Sequence, residues 1–525
     1  MVTLPDAAAL PPRLDPERFS RWNDLLTVGE SPAEHELVAP FTGEVLCTVP
    51  HGTPEDVERA VEDADDAQSA WAERGFDERR RVFERFHDLV LDRREELLDV
   101  MQLEGGKTRG DAYEEMMDVV MTTRYYATRV ADQLASEKRR GALPFLTTAR
   151  VHHDPVGVVG IIAPWNYPLT LAVGDAIPAL LAGNTVVLKP AGETPYTALA
   201  AVELLREAGL PHDAMQVVTG EGKTLGEPLI KAVDHVSFTG STAVGRQIAS
   251  LAGEHLVDCS LELGGKNPVY VRPDVDVDTA VDRAIGACFT NAGQLCISAE
   301  RMYVHEDVHD EFKPRFLNAV AELDLGTAYE YGVGVGSLIS DDQLSRVEGH
   351  VADARDRDAT VEVGGEPRPD VGPLFYAPTV LSDLPADADA ACEETFGPVV
   401  GIEPVSSDGE AIGKMNDTSY GLHASILSDD VARDRGVARE VDVGTVAIND
   451  GYVTAWGAHD APMGGRKDSG IGRRHGPEGV KKYTESKTVA TSKGLPYDPV
   501  RGPDELRSKV LATGLKLWRH VPFLR

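Results

Sequence analysis

A cysteine in a short, glycine-containing segment is the residue of this chain whose type and position best suit nucleophilic chemistry. The segment "NAGQLCIS" (291–298) places Cys296 just beyond a predicted helix, "DRAIGACFT", which itself contains Cys288. A cysteine is either a small buried apolar residue or a reactive thiol. The five cysteines form no CxxC pair and no metal-type cluster, which favours a reducing compartment over a disulfide framework.

A glutamate lies where burial would give it useful basicity. The segment "LELGGKNP" (261–268) places Glu262 in an apolar strand directly before two glycines. Burial disfavours the charged carboxylate and raises its pKa towards that of a general base. A structural glutamate in a salt bridge is the alternative interpretation.

An asparagine between two prolines is a candidate hydrogen-bond donor. In "APWNYP" (163–168), the prolines on either side of Asn166 stiffen the backbone that presents its amide. Such an amide can donate to an oxyanion that develops during a reaction. Taken alone, the segment would be only a turn.

Two glycine-rich turns predict a dinucleotide site. "GEGKTLG" (220–226) follows the strand "AMQVV", and "GSTAVG" (240–245) follows "VSFT", while Lys189 ends another strand. Glycines at strand-to-helix turns let backbone amides approach a phosphate at a helix N-terminus. The triphosphate-loop pattern fails, because Val217 and Met101 occupy the places of its first glycine in the two "GKT" fragments. The "HHD" at 152–154 has no third ligand nearby, so we predict no metal site.

Alternating strands and helices must position these residues. Short β-branched runs at 156–166, 184–190, 214–220 and 235–240 each lead into a turn and a helical segment, which predicts parallel βαβ units. A second set contains "PVYVRP", "ERMYVHEDV", "YAPTVLSDL" and "VGTVAIND", and residues 54–135 carry long helical patterns. Two alternating segments, "GALPFLTTARVHHDPVGVV" and "KYTESKTVATSKG", are predicted to be extended arms that need a partner.

Composition and charge restrict the class of protein. The chain has 525 residues, enough for more than one domain, and 86 acidic against 52 basic residues give a net charge of −34. No basic footprint for nucleic acid is present, and the self-repulsion suggests a salt-rich interior of the cell. The start lacks a signal-peptide pattern and no run of 18 apolar residues occurs, so we expect a cytoplasmic protein without a transmembrane segment.

Seven motifs together resemble the aldehyde dehydrogenase superfamily. They are "APWNYP", "VVLKP", "FTGSTAVG", "LELGGKNP", "NAGQLCIS", "ETFGPV" and "PMGGRKDSGIGR", and their order and spacing match over roughly residues 30–490. The step of 34 residues from Glu262 to Cys296 matches the step from base to nucleophile in that family. Longer phrases, such as "WNYPLTLAVGDAIPALLAGN", resemble succinate-semialdehyde dehydrogenase-type members most.

The resemblance implies a covalent route for oxidising an aldehyde. Cys296 matches the thiol that attacks the aldehyde carbon, and Asn166 with the Cys296 amide would hold the oxyanion. Hydride would then pass to a nicotinamide, and Glu262 would activate the water that releases the acid. Relatives that pass the acyl group to coenzyme A lack this glutamate, so hydrolysis is favoured. Cys288 is then expected to be merely packed.

The resemblance also assigns contacts with NAD or NADP. Lys189 matches a contact to the adenosine ribose, and Ser241, which follows Gly240, matches a pyrophosphate contact. Glu394 and Phe396 match the clamp on the nicotinamide ribose.

Further cofactor positions include one departure from the family pattern. Trp165 is expected to line the groove, and Gly222 belongs to the first glycine turn. NAD-preferring members have a ribose-binding glutamate where Gly192 stands in "KPAGETP", unless Glu193 reaches back. Loss of that carboxylate removes repulsion of a 2′-phosphate, so NADP becomes an expected cofactor beside NAD.

The substrate is less well indicated. Many members use a lysine for proton relay where Asp175 stands, and the arginine that often follows the asparagine motif is missing. Tyr452 and Trp456 are expected to line the tunnel, and they suit an aromatic or aliphatic aldehyde as well as succinate semialdehyde. Two further functions are compatible with the same fold, namely a coenzyme A-acylating enzyme and a non-catalytic scaffold.

The expected architecture is α/β, with a Rossmann-like parallel-sheet cofactor domain, an α/β catalytic domain and a β-strand arm for a homodimer or homotetramer. The predicted ranges are 1–137 and 156–264 for the cofactor domain, 265–475 for the catalytic domain, 138–155 and 480–495 for the arm, and 496–525 for a basic, amphipathic C-terminal tail. This tail predicts either a terminal helix docked on an acidic surface or a helix on a membrane surface.

Overall fold

The computed structural model describes residues 3–141, 147–492 and 505–518 as a set of helices and strands. The α-helices are α1 Pro16–Asn23, α2 Pro54–Glu73, α3 Gly75–Asp92, α4 Arg94–Gly105, α5 Arg109–Gln133, α6 Thr170–Ala182, α7 Pro195–Ala208, α8 Gly222–Ala232, α9 Thr242–His255, α10 Val277–Phe289, α11 Glu306–Ala321, α12 Asp341–Asp356, α13 Asp389–Cys392, α14 Asp408–Asn416, α15 Val431–Glu440, α16 Val453–Trp456, α17 Gly476–Lys481 and α18 Glu505–Trp518. The strands are β1 Ala33–Ala39, β2 Glu44–His51, β3 Glu137–Arg140, β4 Thr147–Pro155, β5 Val158–Ile162, β6 Thr185–Lys189, β7 Met215–Val217, β8 His235–Thr239, β9 Asp258–Glu262, β10 Asn267–Val271, β11 Ala299–His305, β12 Thr360–Val363, β13 Thr379–Ser382, β14 Val399–Val405, β15 Tyr420–Gly421, β16 His423–Leu427, β17 Thr445–Ile448, β18 Arg466–Lys467, β19 Gly470–Ile471 and β20 Thr484–Ser492.

The first sheet is built from the βα units that the sequence predicts. Its order is β19-β9-β8-β5-β6-β7, with parallel pairing from β9 to β7 and an antiparallel β19 on the edge. Most of the valine, isoleucine and leucine side chains of the parallel strands β5 to β9 are buried, as expected for a parallel sheet covered by helices on both faces. The strand order reverses between β5 and β8, and ligands bind at such a switch point beyond the carboxyl ends of the strands.

The second sheet turns the amino-terminal ends of its strands towards this switch point. Its order is β12-β13-β14-β11-β10-β16-β17, and only β12 runs antiparallel to its neighbour. A connection of four residues, 263–266, joins the carboxyl end of β9 to the amino end of β10. The amino-terminal ends of the second sheet therefore face the carboxyl ends of the first.

The helices of residues 54–133 support the site from one side. Helix α4 stops where Gly106 adopts a left-handed φ of 65°, and α5 begins at a capping box between Thr108 and Asp111. The Glu115 carboxylate on α5 accepts hydrogen bonds from the Leu169 and Thr170 N–H groups at 2.6 and 3.0 Å. This contact satisfies free donors at the start of α6 and fixes α5 against it.

A third sheet unites the two predicted arms. Its order is β20-β4-β3, and β20 pairs with β4 from Thr484 opposite Pro155 to Ser492 opposite Thr147. The expected α/β class with parallel sheets is confirmed. The hairpin of β1 and β2, residues 33–51, was not among the predicted strands.

Part of the C-terminal tail falls inside the described residues. Helix α18 is present there with its described side chains exposed, whereas residues 496–504 and 519–525 lie outside the described part of the chain. Among the helices that the structure describes, none has the length and apolarity to cross a bilayer.

Candidate active site

A cavity of about 330 Å³ lies where the two large sheets face each other. Eight of the eleven residues predicted for catalysis or cofactor binding line it: Trp165, Asn166, Gly240, Ser241, Glu262, Cys296, Glu394 and Phe396. They come from distant parts of the sequence, and each lies at or near the end of a strand or the start of a helix. The fold therefore gathers most of the predicted residues around one space.

The backbone after α10 carries Cys296 out of the helix and into this cavity. Asn291 and Ala292 both have left-handed φ values, 52° and 55°, in a tight turn before the cysteine. The Asn267 Nδ2 amide holds this loop by donating to the Cys296 carbonyl at 2.8 Å. Cys288, within α10, is 2% exposed and packs in the core. The two cysteines thus differ in the way that the sequence predicted.

The Cys296 thiol is protonated in its present surroundings. Burial, together with the charges of Glu394 and Glu262, raises its pKa to about 12. A neutral thiol is a weak nucleophile. Attack by this sulfur therefore needs a base beside it.

Glu262 is a carboxyl group suited to that task. Burial raises its pKa to about 7, against the opposing pull of the Arg474 and Lys482 charges. Its Oε2 atom is buried and has no hydrogen-bond partner among the described residues. A carboxylate with a pKa near neutrality and an unengaged oxygen can accept a proton in the cavity.

Asn166 is held by its backbone while its side chain faces the cavity. The Asn166 carbonyl accepts hydrogen bonds from Lys107 Nζ at 2.8 Å and Asn291 Nδ2 at 3.3 Å. Its side-chain amide donates to the Gln294 carbonyl at 3.1 Å. An amide carries two N–H bonds, so one remains to be offered beside Cys296.

Asp175, the residue that replaces a lysine of many relatives, forms a buried ion-pair cluster. It pairs with the Arg474 guanidinium and with Lys482 Nζ at 3.1 Å, and accepts a hydrogen bond from Ser237 at 3.0 Å. These two cations hold the Asp175 pKa far below its ordinary range despite burial. Positive charge near Glu262 therefore comes from residues that follow β19. Sequence reasoning missed them, although both lie in the phrase "RRHGPEGVKKYTES".

Glu394 and Phe396 form the wall of the cavity opposite Asn166. Glu394 Oε1 accepts a hydrogen bond from the Gly265 N–H at 2.8 Å, and burial raises the Glu394 pKa to about 7. The Phe396 ring stands edge-on to Trp165, with 5.5 Å between ring centroids. A Cβ on Gly264 would lie 2.6 Å from the Glu394 carboxylate, so a larger residue there would displace that side chain.

The three remaining predicted residues lie beyond the lining of this cavity, towards the end of β6. Lys189 is buried and donates to the Pro190 carbonyl at 3.0 Å. A Cβ on Gly222 would be 4.0 Å from the Lys189 side chain, and a Cβ on Gly192 would meet nothing within 4 Å. Since α8 and α9 also begin at this edge, a dinucleotide fits here, with its phosphates near the helix N-termini.

A second, much smaller cavity lies on the other side of Cys296. Its lining consists of Glu114, Asn166, Tyr167, Leu171, Leu295, Cys296, Ile297, Tyr452 and Trp456. The sequence predicted Tyr452 and Trp456 here but not Glu114 or Tyr167. The Tyr452 hydroxyl donates to Glu114 Oε2 at 2.8 Å. This cavity, called the substrate pocket for the role proposed below, is lined by no arginine or lysine from the described part of the chain.

A buried group of potential metal ligands lies behind Trp456. It consists of Asp118, His459 and His475, whose ligand atoms lie within 4.8 Å of one another. Ligands of a tetrahedral zinc ion, bound at 2.0–2.1 Å, stand only about 3.3 Å apart. The Asp118 and His459 ligand atoms are 3.6 Å apart, and we assign no metal to the group.

Comparisons with known proteins show the family to which the chain is similar. The model of the aldehyde dehydrogenase family matches residues 27–489. A Mycolicibacterium smegmatis protein, provisionally named an NADP-dependent succinate-semialdehyde dehydrogenase, is 48% identical over 92% of this chain and 94% of its own length.

Solved structures show the same fold. A succinate-semialdehyde dehydrogenase from Burkholderia pseudomallei has a TM-score of 0.84 and 35% identity over 89% of this chain and 96% of its own. The betaine aldehyde dehydrogenase of Staphylococcus aureus, solved with NAD+, has a TM-score of 0.84 and 34% identity over 88% of this chain and 92% of its own.

Proposed function

Because this chain belongs to the aldehyde dehydrogenase family, we propose that it oxidises succinate semialdehyde to succinate through a thioester on Cys296. The family makes the protein an NAD(P)-dependent aldehyde dehydrogenase. The observation that carries the proposal is the placement of Cys296, Glu262 and Asn166 around one cavity beside a glycine-walled groove.

The chemistry follows from the groups in the cavity. Glu262 accepts the thiol proton of Cys296, and the thiolate forms a C–S bond to the aldehyde carbon. The Asn166 amide and the Cys296 N–H stabilise the oxyanion. The nicotinamide, when bound, supplies the acceptor for the hydride that leaves this carbon. Glu262 passes the thiol proton to solvent and, as a carboxylate again, takes a proton from the water that attacks the thioester. The C–S bond then breaks, the acid leaves, and the Cys296 thiolate takes the proton from Glu262 to become the thiol.

This arrangement supports hydrolysis over the two other functions considered. A coenzyme A-acylating relative has no need of a base for water, whereas Glu262 stands buried with an unpartnered oxygen. A scaffold built on the fold would need neither the nucleophile nor the oxyanion donor, and both are present in the cavity.

Succinate semialdehyde is proposed from the relatives, and the pocket supports a second candidate. The M. smegmatis and B. pseudomallei proteins both carry that substrate in their names. The rings of Tyr167, Tyr452 and Trp456 also suit an uncharged aliphatic or aromatic aldehyde.

NADP or NAD is the cofactor, and Gly192 does not by itself select between them. A glycine there leaves open space where a carboxylate would repel a 2′-phosphate. The relatives' names support NADP, and the S. aureus structure with NAD+ supports NAD.

The assembly and setting remain part of the proposal. We infer that the edge strands β3 and β20 join protomers into a homodimer or homotetramer. The net charge of −34 supports a cytoplasm rich in salt. The cofactor, catalytic and arm ranges given above are the proposed domains.

Turnover of purified enzyme in molar KCl tests the proposed function. Succinate semialdehyde, hexanal and benzaldehyde are each compared with NAD and with NADP, beside a Cys296→Ala control. We expect kcat/KM for the semialdehyde to exceed the others at least tenfold, about 1.4 kcal/mol. A preference for hexanal or benzaldehyde would remove the semialdehyde from the proposal, and no activity with any aldehyde would favour a scaffold.

A further inference from the structure

The substrate pocket presents a carboxyl group where the proposed substrate also carries one. The tail of succinate semialdehyde is a carboxylate, and the acidic residue in the pocket lining is Glu114, on α5. Two ionised carboxylates in a confined site repel each other strongly. An ionised Glu114 would therefore exclude the substrate that the relatives' names suggest.

The surroundings of Glu114 favour its neutral form. Burial, with a smaller contribution from the negative charges of Asp111 and Asp118 on the same helix, raises the Glu114 pKa to about 7. Across the pocket, the Tyr452 hydroxyl donates to Glu114 at 2.8 Å, which opposes this rise in pKa by favouring the carboxylate, and the buried Tyr167 phenol also faces Glu114.

Lys107, the cation whose charge acts on Glu114, is already engaged in contacts with other groups. Lys107 is buried, forms an ion pair with Glu115 and donates to the Asn166 carbonyl. It also lies over the Tyr167 ring, 4.2 Å from the centroid. Lys107 weakly favours ionised Glu114 but does not line the pocket.

We propose that Glu114 recognises the tail of the substrate in its protonated form, by donating a hydrogen bond to the carboxylate of a semialdehyde. This inference rests on the proposed function and names a specificity residue for it. The carboxylic acid and the carboxylate share one proton, so the second charge makes Glu114 harder to ionise. Binding of a semialdehyde then takes up one proton from solution whenever Glu114 begins ionised.

The ratio of two KM values measures this linkage. Succinate semialdehyde is compared with butanal, an uncharged aldehyde of the same chain length, between pH 6 and 9. The titrations of Cys296 and Glu262 affect both substrates and cancel in the ratio. We expect the ratio of the semialdehyde KM to the butanal KM to rise above pH 7, approaching tenfold per pH unit.

The matched variant is Glu114→Gln, which keeps hydrogen-bond donors and an acceptor for Tyr452 but cannot ionise. We expect its KM ratio to be independent of pH and, at pH 8.5, at least tenfold below that of the wild type. Proton uptake gives a second readout: calorimetric binding of semialdehyde to the Cys296→Ala variant, in two buffers of different ionisation heat, should show close to one proton at pH 8.

Three outcomes would overturn the inference. If succinate semialdehyde is a good substrate and its KM ratio is flat with pH in the wild type, the inference fails and the proposed function stands. If Glu114→Gln keeps the wild-type pH dependence, another group senses the tail. If kcat/KM is higher for 4-trimethylammoniobutanal than for the semialdehyde, and this preference increases with pH, then ionised Glu114 and the aromatic rings bind a cation. Both proposals then fail.

Discussion

Two carboxyl groups, Glu262 and Glu114, lie on the cofactor side and the substrate side of Cys296. Their pKa values are similar, but the charged residues around them differ. Burial raises the pKa of Glu262, on the cofactor side, and of Glu114, on the substrate side, to about 7 in both cases. Cations at Arg474 and Lys482 favour ionised Glu262, whereas acidic neighbours favour neutral Glu114. A raised pKa alone therefore does not assign a role, and the role proposed for each carboxyl group depends on which cavity it lines.

The cofactor groove and the substrate pocket also differ in whether backbone or side chains form them. The cofactor groove is made of strand ends, helix starts and glycines such as Gly240 and Gly264, where a Cβ would lie 2.5–2.6 Å from a neighbouring side chain. The substrate pocket is made of side chains on α5, α6 and the loop around Tyr452. Backbone-built features come with the fold, whereas side-chain lining can change without disturbing it. The reaction is thus tied to the fold more firmly than the substrate is.

The largest expected loss of kcat follows from removing the Cys296 sulfur, because Cys296 lines both cavities. Cys296→Ala removes the nucleophile and should lower kcat about 10⁴-fold or more with any aldehyde. Cys288→Ala is the matched control, since that thiol is buried in α10 away from both cavities. It should keep kcat within about twofold and lower the unfolding free energy by about 1 kcal/mol. Comparable losses of activity in both variants would contradict the contrast between the cysteines.

Glu262→Gln should come next, with a steady-state kcat about 10²–10⁴-fold below the wild type. The wild-type kcat for butanal should rise with pH through about 7, because Glu262 acts as a base only when it has lost its proton. The variant should lose this rise, which a pH profile of kcat will show. If the pH profile of kcat is unchanged in the variant, a group other than Glu262 accepts the proton, and the contrast between Glu262 and Glu114 fails.

The smallest effect is expected at the far end of the cofactor groove. Gly192→Glu returns a carboxylate to the position where it would repel a 2′-phosphate, and the added Cβ meets nothing within 4 Å. The ratio of kcat/KM with NADP to that with NAD should fall about tenfold, or 1.4 kcal/mol. Gly192→Gln, similar in size and uncharged, should change the ratio less. Equal shifts in the two variants would indicate that bulk, not charge, selects the cofactor.

The sequence predicted the parts of the fold and site that depend on local pattern. Alternating β-branched runs and helical segments indicated the parallel sheets, and both the α/β fold and the family resemblance are confirmed. The glycine turns, the glutamate before Gly264 and the cysteine beyond α10 are readable because turn geometry and residue type occur within a few positions. The catalytic and cofactor roles of these residues remain predictions.

Tertiary structure alone decided which charges surround each group. The Tyr452 hydroxyl that binds Glu114 is 338 positions away in the chain, and Arg474 reaches Asp175 across 299. No local pattern specifies such pairs, since they form only when α5, α6, the loop around Tyr452 and the segment after β19 pack together. The sequence by itself determined where a nucleophile and a base can stand. The packing determined which groups surround each carboxyl group and so set its pKa, because desolvation and neighbouring charge act through space and not along the chain.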